Sequence, residues 1–309
     1  MTARRVLVTG ASGFIGRHVA PLLVDRGYEV HCVGRRQPPS GATAVFHRAD
    51  LLDAAASRSV IERVEPELLV HLAWNAAPGV FWTSPENLDW VAASLALTRA
   101  FAERGGRRAV FAGTCAEYDW SEPLMDEATT PLRPRTLYGV AKNALQTLLA
   151  AASDGLGLSI AWGRVFFLYG PFEAKGRLVP DIISALSKGE PALCSAGTQL
   201  RDFMHVEDVA RAFVAILESD VTGPVNIASG VCGPVRDLIA RIGDHFGRPD
   251  LIRLGARPMQ PGEPPEIRAA THLLHDRVGF RPRYSLESGL ISVCALARAD
   301  DPASHPGAD

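Results

Sequence analysis

The amino-acid sequence predicts a doubly wound α/β fold, a parallel sheet between helix layers, joined to a smaller mixed α/β domain. Three observations carry this reading. Short β-branched runs alternate with helical patterns through the first half; a glycine-rich turn links the first run to the first helix; and beyond about Gly170 proline and glycine thicken while helical segments outnumber strands. Strand–helix alternation closes through right-handed crossovers and buries both faces of the sheet. Arg4 to Thr9 reads as a buried strand. Ile15, Val19, Leu22 and Leu23 then recur at i, i+4, i+7 and i+8, one face of a helix. Tyr28 to Val33 is a second strand, Val45-Phe46 a short third and Leu68 to Leu72 a fourth. A helix over Glu86 to Glu103 leads to a strand at Ala109 to Ala112, and a helix over Tyr138 to Ala152 leads to the strand Ser159 to Phe167. Helices follow at Val179 to Lys188, Val206 to Glu218 and Pro234 to Phe246, and the four prolines between Arg257 and Pro265 mark an irregular loop. The expected division is 1–168 for a nucleotide-binding domain and 169–299 for a substrate-binding domain, with some chain shared, and a frayed tail over 300–309.

Composition excludes several classes. The 309 residues are 47% apolar and 21% charged, ordinary globular usage, and 32 basic against 34 acidic residues leave a net charge of −2. Such a balance gives no bulk attraction to nucleic acid or anionic lipid. The five cysteines (Cys32, Cys115, Cys194, Cys232, Cys294) are scattered with no CxxC pair, which argues against a disulfide framework or a zinc ribbon and for a reducing, cytoplasmic compartment. His272 and His275 stand three apart without a further ligand, so no metal is expected. Val6 to Thr9 ends at Gly10, too soon for a signal segment, and no run approaches the roughly 18 apolar residues of a membrane span.

Chemistry enters at Thr9-Gly10-Ala11-Ser12-Gly13-Phe14-Ile15-Gly16, between the first strand and the first helix. Glycines there permit a tight turn and close approach of backbone to a pyrophosphate, which meets the free N–H groups of the helix start. Gly10, Ser12, Gly13, Phe14, Ile15 and Gly16 are therefore cofactor-binding candidates. At the end of the second strand, where a carboxylate would hold an NAD ribose, the chain has Val33-Gly34-Arg35-Arg36. Two guanidinium groups suit a 2′-phosphate, so NADP(H) is expected over NAD(H); the alternative is a solvated surface pair. Asp50-Leu51 either flanks the adenine or begins a helix cap. Tyr138-Gly139-Val140-Ala141-Lys142 sets a phenol and an ammonium four apart on one helix face, where the cation is expected to draw the phenol toward the working range. Tyr138 is then a proton donor or acceptor for a carbonyl/alcohol pair, and Thr114, at the end of a strand, offers a hydroxyl to the same oxygen.

These motifs together resemble the extended short-chain dehydrogenase/reductase family, the nucleotide-sugar epimerase, dehydratase and reductase group with a Rossmann-type sheet. The carriers are Thr9 to Gly16, His71-Leu72-Ala73, Thr114 with Tyr118, Tyr138 to Lys142, Arg164 with Tyr169-Gly170-Pro171, and Arg201-Asp202-Phe203-Met204-His205-Val206-Glu207-Asp208, covering about residues 4 to 295. The resemblance implies Thr114 polarising the substrate oxygen, Tyr138 as acid/base and Lys142 on the nicotinamide ribose. Leu72, Ala73 and Phe166 fall in segments that line the cofactor, and Arg201 falls where an arginine grips the substrate diphosphate, unless it pairs with Asp202 instead.

The departures are specific. Cys115-Ala116 stands where the family's dehydratases carry Asp-Glu, which removes support for elimination; Cys115 either lines the pocket or fills space. Phe167 replaces the Asn that precedes Tyr-Gly-Pro, Gln260-Pro261-Gly262-Glu263 replaces Arg-Pro-Gly-Asp, and Trp90 occupies a helix position where Asn is usual. Arg177 or Arg268 compensates for the missing phosphate contacts, or is a plain surface charge. The leading expectation is an NADPH-dependent 4-ketoreductase of a nucleoside-diphosphate-linked 4-keto-deoxysugar. The alternatives are a 4-epimerase using the same groups, a reductase of a non-sugar carbonyl, and a non-catalytic NADP-binding protein. The family also implies a homodimer through the helices at Glu86 to Glu103 and Thr136 to Ala152.

Overall fold

The computed structural model describes residues 3–38 and 44–299, so the expected tail lies outside the described residues. The strands are β1 (Arg5–Thr9), β2 (Glu29–Gly34), β3 (Val45–Arg48), β4 (Leu68–His71), β5 (Arg108–Thr114), β6 (Leu124–Met125), β7 (Ser159–Val165), β8 (Phe167–Tyr169), β9 (Ala192–Leu193), β10 (Leu200–His205), β11 (Gly223–Ile227), β12 (Cys232–Pro234), β13 (Ile252–Arg253) and β14 (Glu266–Ala269). The helices are α1 (Gly16–Asp25), α2 (Ala54–Val64), α3 (Glu86–Glu103), α4 (Leu137–Leu156), α5 (Leu178–Ser187), α6 (Val206–Glu218), α7 (Val235–Phe246) and α8 (Leu286–Ala299). Seven parallel strands in the order β11-β7-β5-β4-β1-β2-β3 form the large sheet. Val6, Leu7 and Val8 are all fully buried, as they must be where helices cover both faces. One layer holds α1 and α6 on Val8, Val19, Val209 and Phe213; the other holds α2, α3 and α4 on Leu7, Ile61, Phe101 and Leu145.

Three features depart from the expected elements. Helix α2 lies where the sequence reading offered only a possible cap at Asp50: Asp53 caps it instead, accepting from the N–H groups of Ala55 and Ala56, and Ser57, Val60, Ile61 and Val64 form its buried stripe. The single strand expected over Ser159 to Phe167 breaks at Phe166. β7 stays in the large sheet, whereas β8 pairs with β10 in the second. Strand β11 returns from the chain's second half to edge the large sheet beside β7, with Val225 paired to Gly163. The small sheet runs β12-β10-β14-β6, and β6 comes from the first half. Chain is thus exchanged in both directions, and the C-terminal ends of β1, β4 and β5 face the junction of the two sheets. No described helix is long and apolar enough to cross a membrane.

Candidate active site

The glycine-rich turn is built around close backbone contacts. Gly10 takes φ 70°, and a Cβ there would lie 2.8 Å from the Ala73 nitrogen; a Cβ on Gly16 would overlap the Gly10 carbonyl oxygen. Thr9 ties the turn to the end of β4. Its hydroxyl accepts from the Leu72 and Ala73 N–H groups, both 3.1 Å, and donates to His71 Nδ1 at 2.9 Å. The tautomer follows from the network: Ser94 donates its proton to the Trp90 carbonyl, so His71 Nε2 must donate to Ser94. Burial, helped by the Lys142 cation, pulls His71 down to about 3, and the ring is neutral.

Helix α1 starts at Gly16 with no side-chain cap; the Arg17 and His18 N–H groups go to the Gly13 and Ile15 carbonyls, so any ligand here meets the N–H groups of the turn that precedes them. The loop after β8 folds back against it: the Arg17 guanidinium lies 4.3 Å over the Phe172 ring, and Phe172 sits at φ 69°. Arg17 Nε, His18 Nε2 and Glu173 Oε2 are buried here without a hydrogen-bond partner. A cradle of glycines that a Cβ would fill, on a helix whose first turn carries the orphaned Arg17 and His18 nitrogens, fits a dinucleotide pyrophosphate. Ser12, Phe14 and Ile15 are half-buried around the turn and Gly13 is exposed. Arg35 and Arg36 are exposed just past β2, with no hydrogen bond or ion pair among the described residues. Asp50 is exposed and accepts from Leu52 N–H at 3.1 Å, whereas Leu51 is buried in the core; the helix cap is Asp53.

Thr114 ends β5 and opens a short turn, with Glu117 Oε1 accepting its N–H and its own Oγ1 accepting from Ala116 N–H. Glu117 is fully buried and also accepts from Trp162 Nε1 and Arg164 Nε, which fixes the floor of the site. Helix α4 starts at a Thr136 cap and presses onto this turn so tightly that a Cβ on Gly139 would overlap the Ala116 carbonyl oxygen. That contact brings Tyr138 to Thr114. Burial pushes the Tyr138 phenol above its usual range, against the lowering influence of the nearby Thr114 hydroxyl and Arg177 cation. Three rings cause the burial. Each meets Tyr138 edge-on, with ring centres 4.8 Å away for Phe81, 5.8 Å for Trp82 and 6.4 Å for Trp74.

Lys142, one turn along α4, is 3% exposed. Its Nζ donates to the Ala112 carbonyl at 2.7 Å and lies 3.7 Å over the Trp74 ring. Burial pulls this ammonium down to about 7, opposed by Glu117. The expectation that Lys142 draws the Tyr138 phenol downward therefore does not hold in this structure. The ammonium is engaged by a carbonyl and an indole face, and desolvation of the phenol outweighs any cation nearby.

On the substrate side, Cys115 is buried beside Tyr118 and Met125, and its thiol is pushed up to about 12, chiefly by burial. Phe166 packs in the same cluster and Phe167 is half-buried at its edge. Arg201 is buried and does not pair with Asp202. It donates to Glu263 Oε1, the Pro264 carbonyl and the Leu200 carbonyl, each at 2.8 Å, and lies over Phe167. Asp202, on the opposite face of the strand, accepts from Ser229 and Gly230. Of the two further arginines, Arg177 reaches the site, donating to the Ala76 carbonyl and lying over Phe81, whereas Arg268 is exposed beside Glu266. His272, expected to lack further ligands, does have acidic neighbours: Asp126 gives Oδ1 to the N–H groups of Ala128 and Thr129 and turns Oδ2 toward His272 at 3.8 Å, with Glu127 beside them.

Sequence reasoning passed over Trp74, Phe81, Trp82, Asn87 and Glu173. The signal for the first three was present: three large aromatic residues within one loop, directly after Leu72-Ala73.

Residues 6–228 match the NAD dependent epimerase/dehydratase family. Among curated relatives, the chain is 28% identical to a dTDP-6-deoxy-L-talose 4-dehydrogenase (NAD(+)) of Aggregatibacter actinomycetemcomitans, over 73% of this chain and 84% of that one. Among solved structures, MoeE5 in complex with UDP-glucuronic acid and NAD is 31% identical, with a TM-score of 0.83, over 96% of this chain and 99% of that one. The Thermus thermophilus UDP-glucose 4-epimerase complex with NAD is 25% identical, with a TM-score of 0.85, over 96% and 100%.

Proposed function

Because the chain belongs to the NAD-dependent epimerase/dehydratase family, we propose that it is an NADPH-dependent 4-ketoreductase of a nucleoside-diphosphate-linked deoxysugar. The observation that carries the reading is the Thr114–Tyr138 pair, a strand-end hydroxyl brought beside a ring-enclosed phenol by the packing of α4 on the turn after β5. The nicotinamide, when bound, supplies the hydride. Tyr138, whose phenol stays protonated, gives its proton to the substrate oxygen as that oxygen gains charge, and Thr114 holds the same oxygen by hydrogen bond. Lys142 holds the nicotinamide ribose. Residues 1–168 carry most of the cofactor cleft and 169–299 most of the substrate cover. Arg35 and Arg36, without a hydrogen bond or ion pair among the described residues, take the 2′-phosphate of NADP. Arg177 and Arg201 lie where a diphosphate is held, and Arg201 serves only if Glu263 yields one guanidinium edge. The cell compartment proposed is the cytoplasm, and the assembly a homodimer through α3 and α4, whose Leu88, Val140 and Leu148 are exposed.

A 4-epimerase is the second reading, favoured by the likeness to the Thermus thermophilus enzyme. Both are tested by incubating the purified protein with nucleoside-diphosphate 4-keto-6-deoxyhexoses and with nucleoside-diphosphate hexoses, following nicotinamide absorbance and product together. Stoichiometric loss of NADPH supports reduction; conversion without net loss supports epimerisation; neither, across the panel, refutes both. Replacing Arg35 and Arg36 by Ala lowers the preference for NADPH over NADH by about 10- to 100-fold if they bind the 2′-phosphate.

A further inference from the structure

Lys142 presents a problem in electrostatics. A nearly buried ammonium ordinarily has a carboxylate partner, and among the described residues Lys142 makes no ion pair. The groups around it are the Ala112 carbonyl, the Trp74 ring at 3.7 Å and the Trp162 ring at 6.0 Å. The titratable groups facing it are Glu117 from the turn after β5, His71 from the end of β4 and Tyr138 on its own helix. His71 is neutral, Tyr138 is protonated and Glu117 is already bonded by Arg164 and Trp162, so none supplies a dedicated counter-charge.

The Trp74 indole is held firmly for a loop side chain. Its Nε1 donates to Asn87 Oδ1 at 2.8 Å, and Asn87 is itself locked, its Nδ2 donating to the Phe81 and Ser84 carbonyls at 2.8 Å each. The Trp90 ring stacks on it at 6.0 Å with planes 27° apart. An indole that donates its N–H carries more electron density on its face, and a desolvated ammonium against that face is strongly attracted. The same ring meets Tyr138 edge-on. Trp74 thus touches both residues of the proposed catalytic helix face.

From this geometry we infer that Trp74, oriented by Asn87, is a positioning residue that sets the charge and the place of Lys142 by presenting its indole face to the ammonium. Asn87 and the Trp90 stack decide where that face points. The inference rests on the proposed function only in that Lys142 is taken as the cofactor-holding cation; the indole–ammonium interaction is measurable without substrate.

The test titrates Lys142 in the ligand-free protein, by pH-dependent acylation read residue by residue with mass spectrometry, and measures NADPH affinity by fluorescence. Trp74→Leu removes the π face and lowers the Lys142 midpoint by about one pH unit. NADPH binding weakens correspondingly near neutral pH, while Trp74→Phe retains most of both. Equal midpoints in parent and Trp74→Leu overturn the inference. Should the leucine variant not fold, tryptophan is replaced biosynthetically by mono- and difluorinated analogues, which drain ring density with little change in shape. A graded fall of the Lys142 midpoint with fluorination supports the inference, and a midpoint that ignores fluorination overturns it. If the midpoint responds while Lys142→Met reduces keto-sugars as fast as the parent, the functional reading fails and the indole–ammonium assignment stands.

Discussion

Tyr138 and Glu173 show how far a side chain's chemistry depends on the solvent its neighbours leave it. Tyr138 keeps its proton because three rings desolvate it, which suits a group that must donate in the reductive direction. Tyr138→Phe should slow turnover by about 10²- to 10⁴-fold while leaving NADPH affinity and the melting temperature near the parent's, checked by steady-state kinetics, fluorescence titration and thermal melts. Glu173 is half-buried, its Oε2 is shielded from solvent with no hydrogen-bond partner among the described residues, and burial pushes the carboxyl up to about 8, against Arg177 and with Asp181. Between its ordinary value of 4.5 and about 8, the unfolded chain releases a proton that the folded chain retains, so this group's contribution falls as pH rises through that window. Melting temperatures of Glu173→Gln measured across the window should decline less than those of the parent; an unchanged slope would show that the carboxyl ionises normally. The phenol–ammonium spacing was legible in the sequence because a helix repeats every 3.6 residues. The direction of the phenol's shift was not, since Phe81, Trp82 and Trp74 reach Tyr138 from a loop far earlier in the chain.

Among the elements, the glycine-rich turn is the most tightly specified. Gly16 cannot take a side chain without displacing the Gly10 carbonyl, so the turn and α1 hold each other at a fixed distance. Gly16→Ala should weaken NADPH binding by roughly tenfold or more, read by fluorescence titration. An affinity equal to the parent's would mean that the pyrophosphate does not sit on this turn. This element could be read directly, since its strand, glycines and amphipathic helix are contiguous. Helix α2 was passed over although Ser57, Val60, Ile61 and Val64 have helical spacing. Its stripe is narrow, and the alanines and serines around it carry little hydrophobic contrast. The break at Phe166 was illegible for a different reason: both β7 and β8 are extended and apolar, and only their pairing partners differ.

For the whole molecule, Asn226 on β11 joins the two sheets. Its side chain accepts from the Tyr118 hydroxyl and donates to the Met125 and Ala270 carbonyls, while its backbone N–H goes to Glu127. It is fully buried, so Asn226→Ala would leave several groups unsatisfied, at a cost of about 2–4 kcal/mol in denaturant unfolding. Both sheets should lose stability, as read by hydrogen exchange in each; a loss confined to one sheet would show that this asparagine does not join them.

By itself the sequence determined the parallel sheet, the glycine turn on α1, the Tyr138–Lys142 face and Thr114 at a strand end. Each of these is a short-range pattern, written within one or two elements and governed by the periods of strand and helix. Only the tertiary structure decided that Arg201 meets Glu263, 62 positions away, and not its neighbour Asp202. The same holds for β11 crossing back to edge the first sheet and for Trp74 covering Lys142. Those outcomes turn on which distant surfaces are buried against one another, and alternation along a strand sends adjacent residues such as Arg201 and Asp202 to opposite sides before any partner is chosen.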